Sequence, residues 1–291
     1  MYRSDGYRVR TNNPMYELAP YIMDKRYDAS NSITQDIELE PIQEFARKCR
    51  KNGIAMSSMA IIIAAYLRTA AKYPYLNRFC MNKRIYARNH FCISFVTLTP
   101  GKGNSTVNKL YFNLDDDVFT VNEKINAAIE KCQAAGSDTA MDKLANKLVA
   151  IPGLLTVAVG IIKFIDKFFT LPMAIVDASP FHTSLFITNL ASIRIGTIYH
   201  HLYEFGTTGV FISMGQPVKK VYMEGDVAVE KKIMELGVVL DERIADGHYF
   251  GMCFKEFKKL LKNPELLEKK AEVVNWDSDI KKKNPKFVVY K

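Results

Sequence analysis

The sequence predicts an α/β fold, a two-layer sandwich in which helices cover one sheet. Three observations predict it. Helical-period segments lie near the start and the middle, at least six runs read as strands, and a strand–turn–helix joint lies near the end of the chain. That joint is Val238-Val239-Leu240-Asp241-Glu242-Arg243-Ile244-Ala245-Asp246-Gly247. An apolar strand delivers polar residues into a tight Asp-Gly turn, and Phe254, Phe257, Leu260 and Leu261 then recur at helical spacing until Asn263-Pro264.

In chain order, residues 1–31 read as an N-terminal arm, extended or carrying a short helix. Ser32 to Leu39 reads as a strand. Glu40-Pro41 opens a helix with Ile42, Phe45, Ala46 and Cys49 on one face, stopped by Asn52-Gly53. Ser57 or Ser58 caps a strongly apolar helix that ends at Lys72-Tyr73-Pro74 and that Arg68 makes unsuited to a bilayer. Strands follow at Lys83–Tyr86, Phe91–Leu98 and Lys109–Leu114, with a turn at Pro100–Asn104 that is no phosphate loop, since no helix opens after it. Asp115-Asp116-Asp117 reads as a solvated turn. Thr120 and Glu123 are placed as a capping box for a helix to Cys132. Leu148–Ile162 is almost wholly apolar, and Lys163 and Lys167 then alternate with Phe164, Phe168 and Phe169. A buried helical hairpin at a subunit contact or apolar pocket is the preferred reading of 148–178. Contact with a membrane surface through 154–169 is the second. Strands return at Ser184–Leu190, Gly209–Gly215, Val218–Met223 and Val227–Lys231, the last two joined by a hairpin turn. The body of the fold is therefore expected over 32–270, with a basic tail at 271–291.

Composition narrows the function. The chain has 291 residues, 48% hydrophobic, with five cysteines in no paired spacing, which points to reduced thiols in a cytoplasm. Five histidines stand at no ligand spacing to a cysteine or carboxylate cluster, so no metal is expected. The polar start argues against a signal peptide. A net charge of +9 is spread along the chain, with one run at Lys281–Lys283. A solvated face explains it as well as a nucleic acid would, and no nucleic-acid partner is expected.

The order of several phrases resembles the catalytic domain of the dihydrolipoyl acyltransferases of 2-oxoacid dehydrogenase complexes, relatives of chloramphenicol acetyltransferase. The family's Asp-His-Arg-x-x-Asp-Gly ahead of a helix closing with Asn-Pro is matched by Asp241-Glu242-Arg243-Ile244-Ala245-Asp246-Gly247 and Asn263-Pro264. Its strand ending Thr/Ser-Asn-Leu is matched by Phe186-Ile187-Thr188-Asn189-Leu190, and its His-Pro-x-Leu-Asn by Tyr73-Pro74-Tyr75-Leu76-Asn77. The resemblance runs from about Asn31 to Leu267 and is weakest over 136–178. It implies a mixed sheet covered by helices, a homotrimer with active sites between subunits, and coenzyme A as acyl donor to a small-molecule acceptor. The net positive charge suits that phosphate-bearing ligand. The chain leaves no room for a lipoyl domain. By the same resemblance Thr188 holds the oxyanion, while Asp246, Gly247, Arg243 and Asn189 are structural at the site, with Arg26 a candidate partner for Asp246.

The departure is at the base, where the family's histidine is Glu242. An unperturbed glutamate titrates near ~4.3, against ~6.5 for imidazole, so it is a poor base unless a dry pocket raises it. The replacement candidates are His200 and His201, which lie after the oxyanion strand; His182, just before that strand, and His248, at the head of the last helix, rank lower. Two functions stay open at this point. One is a coenzyme A-dependent acyltransferase with an altered base. The other is a non-catalytic trimeric binding or assembly protein that keeps the fold and the ligand pocket.

Overall fold

The computed structural model describes residues 3–11, 13–98, 105–135 and 150–290. The expected turn at 100–104, apart from its surroundings, and the start of the apolar run at Leu148 lie outside them. A six-stranded mixed sheet organises the chain. Its strands are β2 (Ser30–Glu38), β5 (Phe91–Leu98), β6 (Ser105–Phe112), β7 (Leu185–Asn189), β8 (Val210–Glu224) and β9 (Val227–Asp241), in the order β2-β9-β8-β7-β5-β6. β7 runs parallel to both neighbours, β5 and β8, and the other pairings are antiparallel. A smaller sheet joins β1 (Gly6–Arg8), β4 (Arg84–Arg88) and β3 (Arg78–Met81).

Strand alternation sorts the large sheet into two unlike faces. Ile93, Phe95, Leu185, Ile187, Val210, Ile212, Leu236, Val238 and Leu240 point to the main core. There they meet α2 (Leu39–Lys51), α3 (Ser58–Lys72), α4 (Val118–Ala135) and α7 (Gly247–Lys262). Ser57 caps α3 by accepting from the Ala60 N–H. The helix is apolar almost all round and buried along nearly its whole length, as such a helix must be. The opposite face carries only a small cluster, Phe186, Phe211, Val239 and Leu202.

Four details differ from the sequence reading. Asp117, not Thr120, caps α4, accepting from the Thr120 N–H at 2.8 Å; a carboxylate one turn earlier outcompetes the hydroxyl. Asp116 is buried rather than solvated, bonded to Lys124 and to the Asn113 N–H. The four strand runs after Gly209 merge into two 15-residue strands, β8 continuing through an irregularity between Met214 and Pro217. The helix over the apolar stretch, α5 (Leu154–Phe168), is not buried in this chain's core: Asp166 is its one buried residue, and its outward side is apolar. A short α6 (Met173–Ala178) follows it. Among the described residues no helix is long and apolar enough to cross a membrane.

Both termini are tied down by buried ion pairs. Arg78 clasps Asp277 with two bonds, 2.5 and 2.8 Å, and lies 3.2 Å over the Tyr75 ring. Val288 donates to the Asn89 carbonyl, and Tyr290 stacks on Tyr111. At the other end Arg3 clasps Asp5 (2.7 and 3.0 Å) and reaches Asp166 of α5 at 2.9 Å. His182 Nε2 also meets Asp166 at 3.0 Å, while its Nδ1 meets the Ser179 hydroxyl at 2.7 Å.

Two outcomes follow from these pairs. Asp277→Ala removes two of the three carboxylate bonds to a wholly buried guanidinium and leaves it only Asp279, at 2.8 Å, so it is expected to cost about 1–3 kcal/mol in urea unfolding. Burial alone would raise the Asp5 carboxyl, but Arg3 and Arg88 outweigh it and hold it at about 2. A carboxyl lowered in the folded state adds stability above the ordinary carboxylate range. About 2 kcal/mol should therefore disappear as pH falls from about 4 to about 2. Asp5→Asn should flatten that part of the stability–pH curve.

Candidate functional site

Thr188 lies next to the end of β7 on the sparsely covered face, two residues beyond Phe186 and opposite Ser213 of β8. It is half-buried, and its hydroxyl has no partner among the described residues. Asn189 follows. Its Oδ1 is buried without a hydrogen-bond partner, an arrangement that costs about 1–3 kcal/mol unless something fills it.

The segment after β7 folds back across this face. Its contact with the sheet is unusually close, because two positions beneath it lack side chains. A Cβ on Gly237 would stand 2.3 Å from the Ile198 carbonyl oxygen, and one on Gly215 would stand 2.6 Å from the Thr197 nitrogen. Between them the buried Ser213 hydroxyl donates to the Ile198 carbonyl and lies 3.0 Å from the Thr197 hydroxyl. This pins 197–198 to the strands, so that His200 lands flat on Phe211, centroids 4.2 Å apart and planes 3° from parallel. Phe211 stacks in turn on Phe186. His200 Nδ1 is 3.0 Å from the His201 carbonyl oxygen. A carbonyl only accepts, so Nδ1 carries the proton, and Nε2 of the neutral ring is left as a lone-pair acceptor. His201 is exposed, with its ring against His200 and Tyr203.

Glu242 stands elsewhere. Phe186, Phe211 and Val239 share one level of the sheet, and β9 runs against β7. Glu242 therefore lies beyond one end of that level and Thr188 beyond the other, two strands apart, roughly 15–20 Å in all. The Glu242 side chain is exposed, accepts from Asn31 Nδ2 at 2.9 Å, and borders an open apolar cleft of about 260 Å³ formed with Met15, Tyr16, Ala19 and Ile22. One chain does not supply the dry pocket that a glutamate base needs.

The flanking motif residues hold the joint together. Asp241, fully buried, accepts two bonds from Arg243, each 2.8 Å. Arg26 does not pair with Asp246. Its Nε lies 3.6 Å from Asp241, and its guanidinium donates to the Tyr203 and Cys80 carbonyls. Arg26 was the harder partner to place because it joins the arm to the histidine segment, a tertiary contact with no local signature. Asp246 is exposed and caps α7, accepting from the Tyr249 N–H at 2.7 Å; that bond lowers its carboxyl. Gly247 begins the helix with open space where a Cβ would lie. His182 belongs to the buried Asp166–Ser179 chain, where desolvation lowers it, and His248 is exposed at the head of α7.

Sequence reasoning missed one group whose titration the fold shifts. Cys92 is fully buried, which by itself would push its thiol up, yet His90, Lys109 and Arg88 outweigh burial and bring it to about 6. His90 and Cys92 are two apart on extended chain, the spacing that puts both on one face. Among the described residues no group of three His, Cys, Asp or Glu side chains could hold a metal ion.

Residues 187–268 match the family model for 2-oxoacid dehydrogenases acyltransferase (catalytic domain), a span that contains Thr188, His200 and Glu242. A probable dihydrolipoamide acetyltransferase from Listeria monocytogenes superposes with a TM-score of 0.58 at 11% identity, over 87% of this chain and 93% of that one. A chloramphenicol acetyltransferase superposes with a TM-score of 0.54 at 13% identity, over 88% and 100%. The fold is that of chloramphenicol acetyltransferase. A truncated 2-oxoacid dehydrogenase complex core from Thermoplasma acidophilum is similar again, with a TM-score of 0.54 at 14% identity over 85% and 95%. No curated protein matches the chain in sequence. The match and the shared fold bear out the resemblance read from the motifs, and the mixed sheet with helices is the architecture expected of it.

The glycine contact is testable. Gly237→Ala forces the sheet and Ile198 apart, and is expected to cost about 1–3 kcal/mol in urea unfolding. It should also speed amide exchange across 197–201 while leaving α3 protected.

Proposed function

We propose that this protein is an acyltransferase that takes its acyl group from a coenzyme A thioester and passes it to a small thiol or hydroxyl acceptor. His200 is the base and Thr188 the oxyanion donor. The observation that carries the reading is the His200 ring. It is fixed through Nδ1 to a backbone carbonyl, its Nε2 is free to accept a proton, and it stands on the same sheet face as Thr188.

His200 rests over Phe211, one strand across from Thr188 and two residues along, about 8 Å within the sheet. A reacting carbonyl and its attacking acceptor fill a gap of that size. Nε2 takes the acceptor proton as the acceptor attacks the thioester carbon. The Thr188 hydroxyl donates to the oxygen on which negative charge builds, the type of contact that most favours a tetrahedral intermediate. When the carbon–sulfur bond breaks, Nε2 returns the proton to the departing thiolate, and the site is restored.

The family's trimeric assembly enters the same proposal. Within one chain Glu242 is too far from Thr188 to serve it, so a role for Glu242 requires a neighbouring subunit to bring the two ends together. The exposed apolar cleft beside Glu242 supports such a contact.

The test is acyl transfer from acetyl-coenzyme A to a panel of thiol and alcohol acceptors. His200→Ala is expected to lower kcat by about 10²–10⁴-fold, the worth of a general base. Thr188→Val should lower it by about 10²–10³-fold, the worth of one oxyanion donor. Glu242→Gln should leave kcat within a few-fold. A large loss with Glu242→Gln and none with His200→Ala would transfer the role of base to Glu242 of an adjacent subunit. Ligand binding by calorimetry with no turnover of any acceptor would make the protein a binding scaffold instead.

A further inference from the structure

Helix α5 has an inverted polarity. A helix apolar on all sides is ordinarily buried. Here the buried residue is Asp166, held by Arg3 and His182, while the outward side shows Val157 (58% exposed), Ile161 (53%), Phe164 (56%) and Phe168 (49%), with Phe169 (57%) just beyond the helix. The three phenylalanines gather into one ridge, Phe164 lying 5.1 Å from Phe168 and 5.9 Å from Phe169 by ring centroids. Polar bonds to Asp166 fix the helix to the body, so the ridge is presented outward.

Charge identifies the occupant. Lys163 and Lys167 flank the ridge and open onto a cleft of about 300 Å³ that Lys25 and Lys83 also line. All four lysines are exposed. The acids facing the cleft are Asp24, Glu204 and Asp166. Glu204 accepts from the Arg26 N–H, and Asp166 is taken by Arg3 and His182, which leaves the exposed groups around the cleft net positive. Beyond the cleft stands α1 (Pro14–Ile22), with Leu18 and Tyr21 exposed on it and Lys83 over the Tyr21 ring. Aromatic and aliphatic side chains at the edge of a lysine cluster match the boundary between acyl chains and anionic headgroups. The same lysines would face one another if this surface met a second copy of itself.

We propose that α5 docks this protein onto an anionic lipid surface. The phenylalanine ridge enters the acyl boundary, and Lys163, Lys167, Lys25 and Lys83 meet the headgroup phosphates. This is independent of the acyl-transfer reading.

The experiment is co-sedimentation of the full-length chain with vesicles of phosphatidylcholine alone or mixed with phosphatidylserine, alongside sedimentation velocity without lipid. The chain should pellet with the mixed vesicles, weakly or not at all with the neutral ones, and less as salt rises. Lys163→Gln with Lys167→Gln should weaken binding roughly 30-fold, the worth of two surface lysines. Phe164→Asp with Phe168→Asp should abolish pelleting while the circular dichroism spectrum and the oligomeric state stay unchanged. Failure to pellet with any vesicle, equal pelleting with neutral ones, or dissociation of an oligomer by the aspartate variant would overturn the proposal. The last result would assign the ridge to a second copy.

Discussion

The arrangement of the site depends on how the sheet's second face is covered. Helices α2, α3, α4 and α7 pack on one face, whereas over Ser213 and Phe211 on the other the covering chain is not helical. The cover is an irregular segment, and such a segment carries backbone polar groups that need partners. Ser213 supplies one from inside the sheet, bonding the Ile198 carbonyl, and Gly215 and Gly237 remove the side chains that would hold the segment off. The closeness of that contact decides where His200 lies. A loop resting on ordinary side chains would stand several ångströms higher, and its histidine would not reach the plane of Phe211.

The second constraint is electrostatic. Asp241 sits at the buried end of β9 and gathers Arg243 from the joint and Arg26 from the arm. Arg26 then donates to the Tyr203 carbonyl, on the far side of the histidines from Ser213. The segment is thus fixed at both ends, by a hydroxyl at 197–198 and by a guanidinium at 203. A buried cluster of this kind is weak support for stability in general, since desolvation offsets much of the attraction. Its effect here is geometric, because breaking it would free the histidine segment rather than only loosen the core.

Much of this was legible in the sequence, for reasons that differ by element. The helices α2, α3 and α7 announce themselves through apolar spacing and end signals, and each of those signals is local. The Asp241–Gly247 and Thr188-Asn189 phrases were equally plain, because they combine a strand end with unusual polar residues. What was not legible depends on contacts between distant segments. The choice of Asp117 over Thr120 as a cap turns on where the chain enters the helix. The partner of Arg26 was open because an arm without periodicity has no register to read. For α5 the sequence left the inward side open, since a run of Ile, Val and Phe suits a subunit contact, an apolar pocket or a membrane surface alike. Only the three-dimensional partners of Asp166 reveal which side faces in.

The altered motif has a physical explanation in this geometry. A base is useful only where its proton acceptor meets the acceptor substrate, and its position matters before its pKa. The motif position sits at the opposite end of the sheet from Thr188, so in a single chain any residue there is remote, whether histidine or glutamate. The segment from 195 to 203, laid flat across the same face as Thr188, brings an imidazole to that face from within the same chain. With His200 as the proposed base, the demand on the motif position falls, and an exposed carboxylate bonded to Asn31 meets no conflict there. Restoring a histidine at 242 would then add little while His200 is present, and would matter only after His200 is removed.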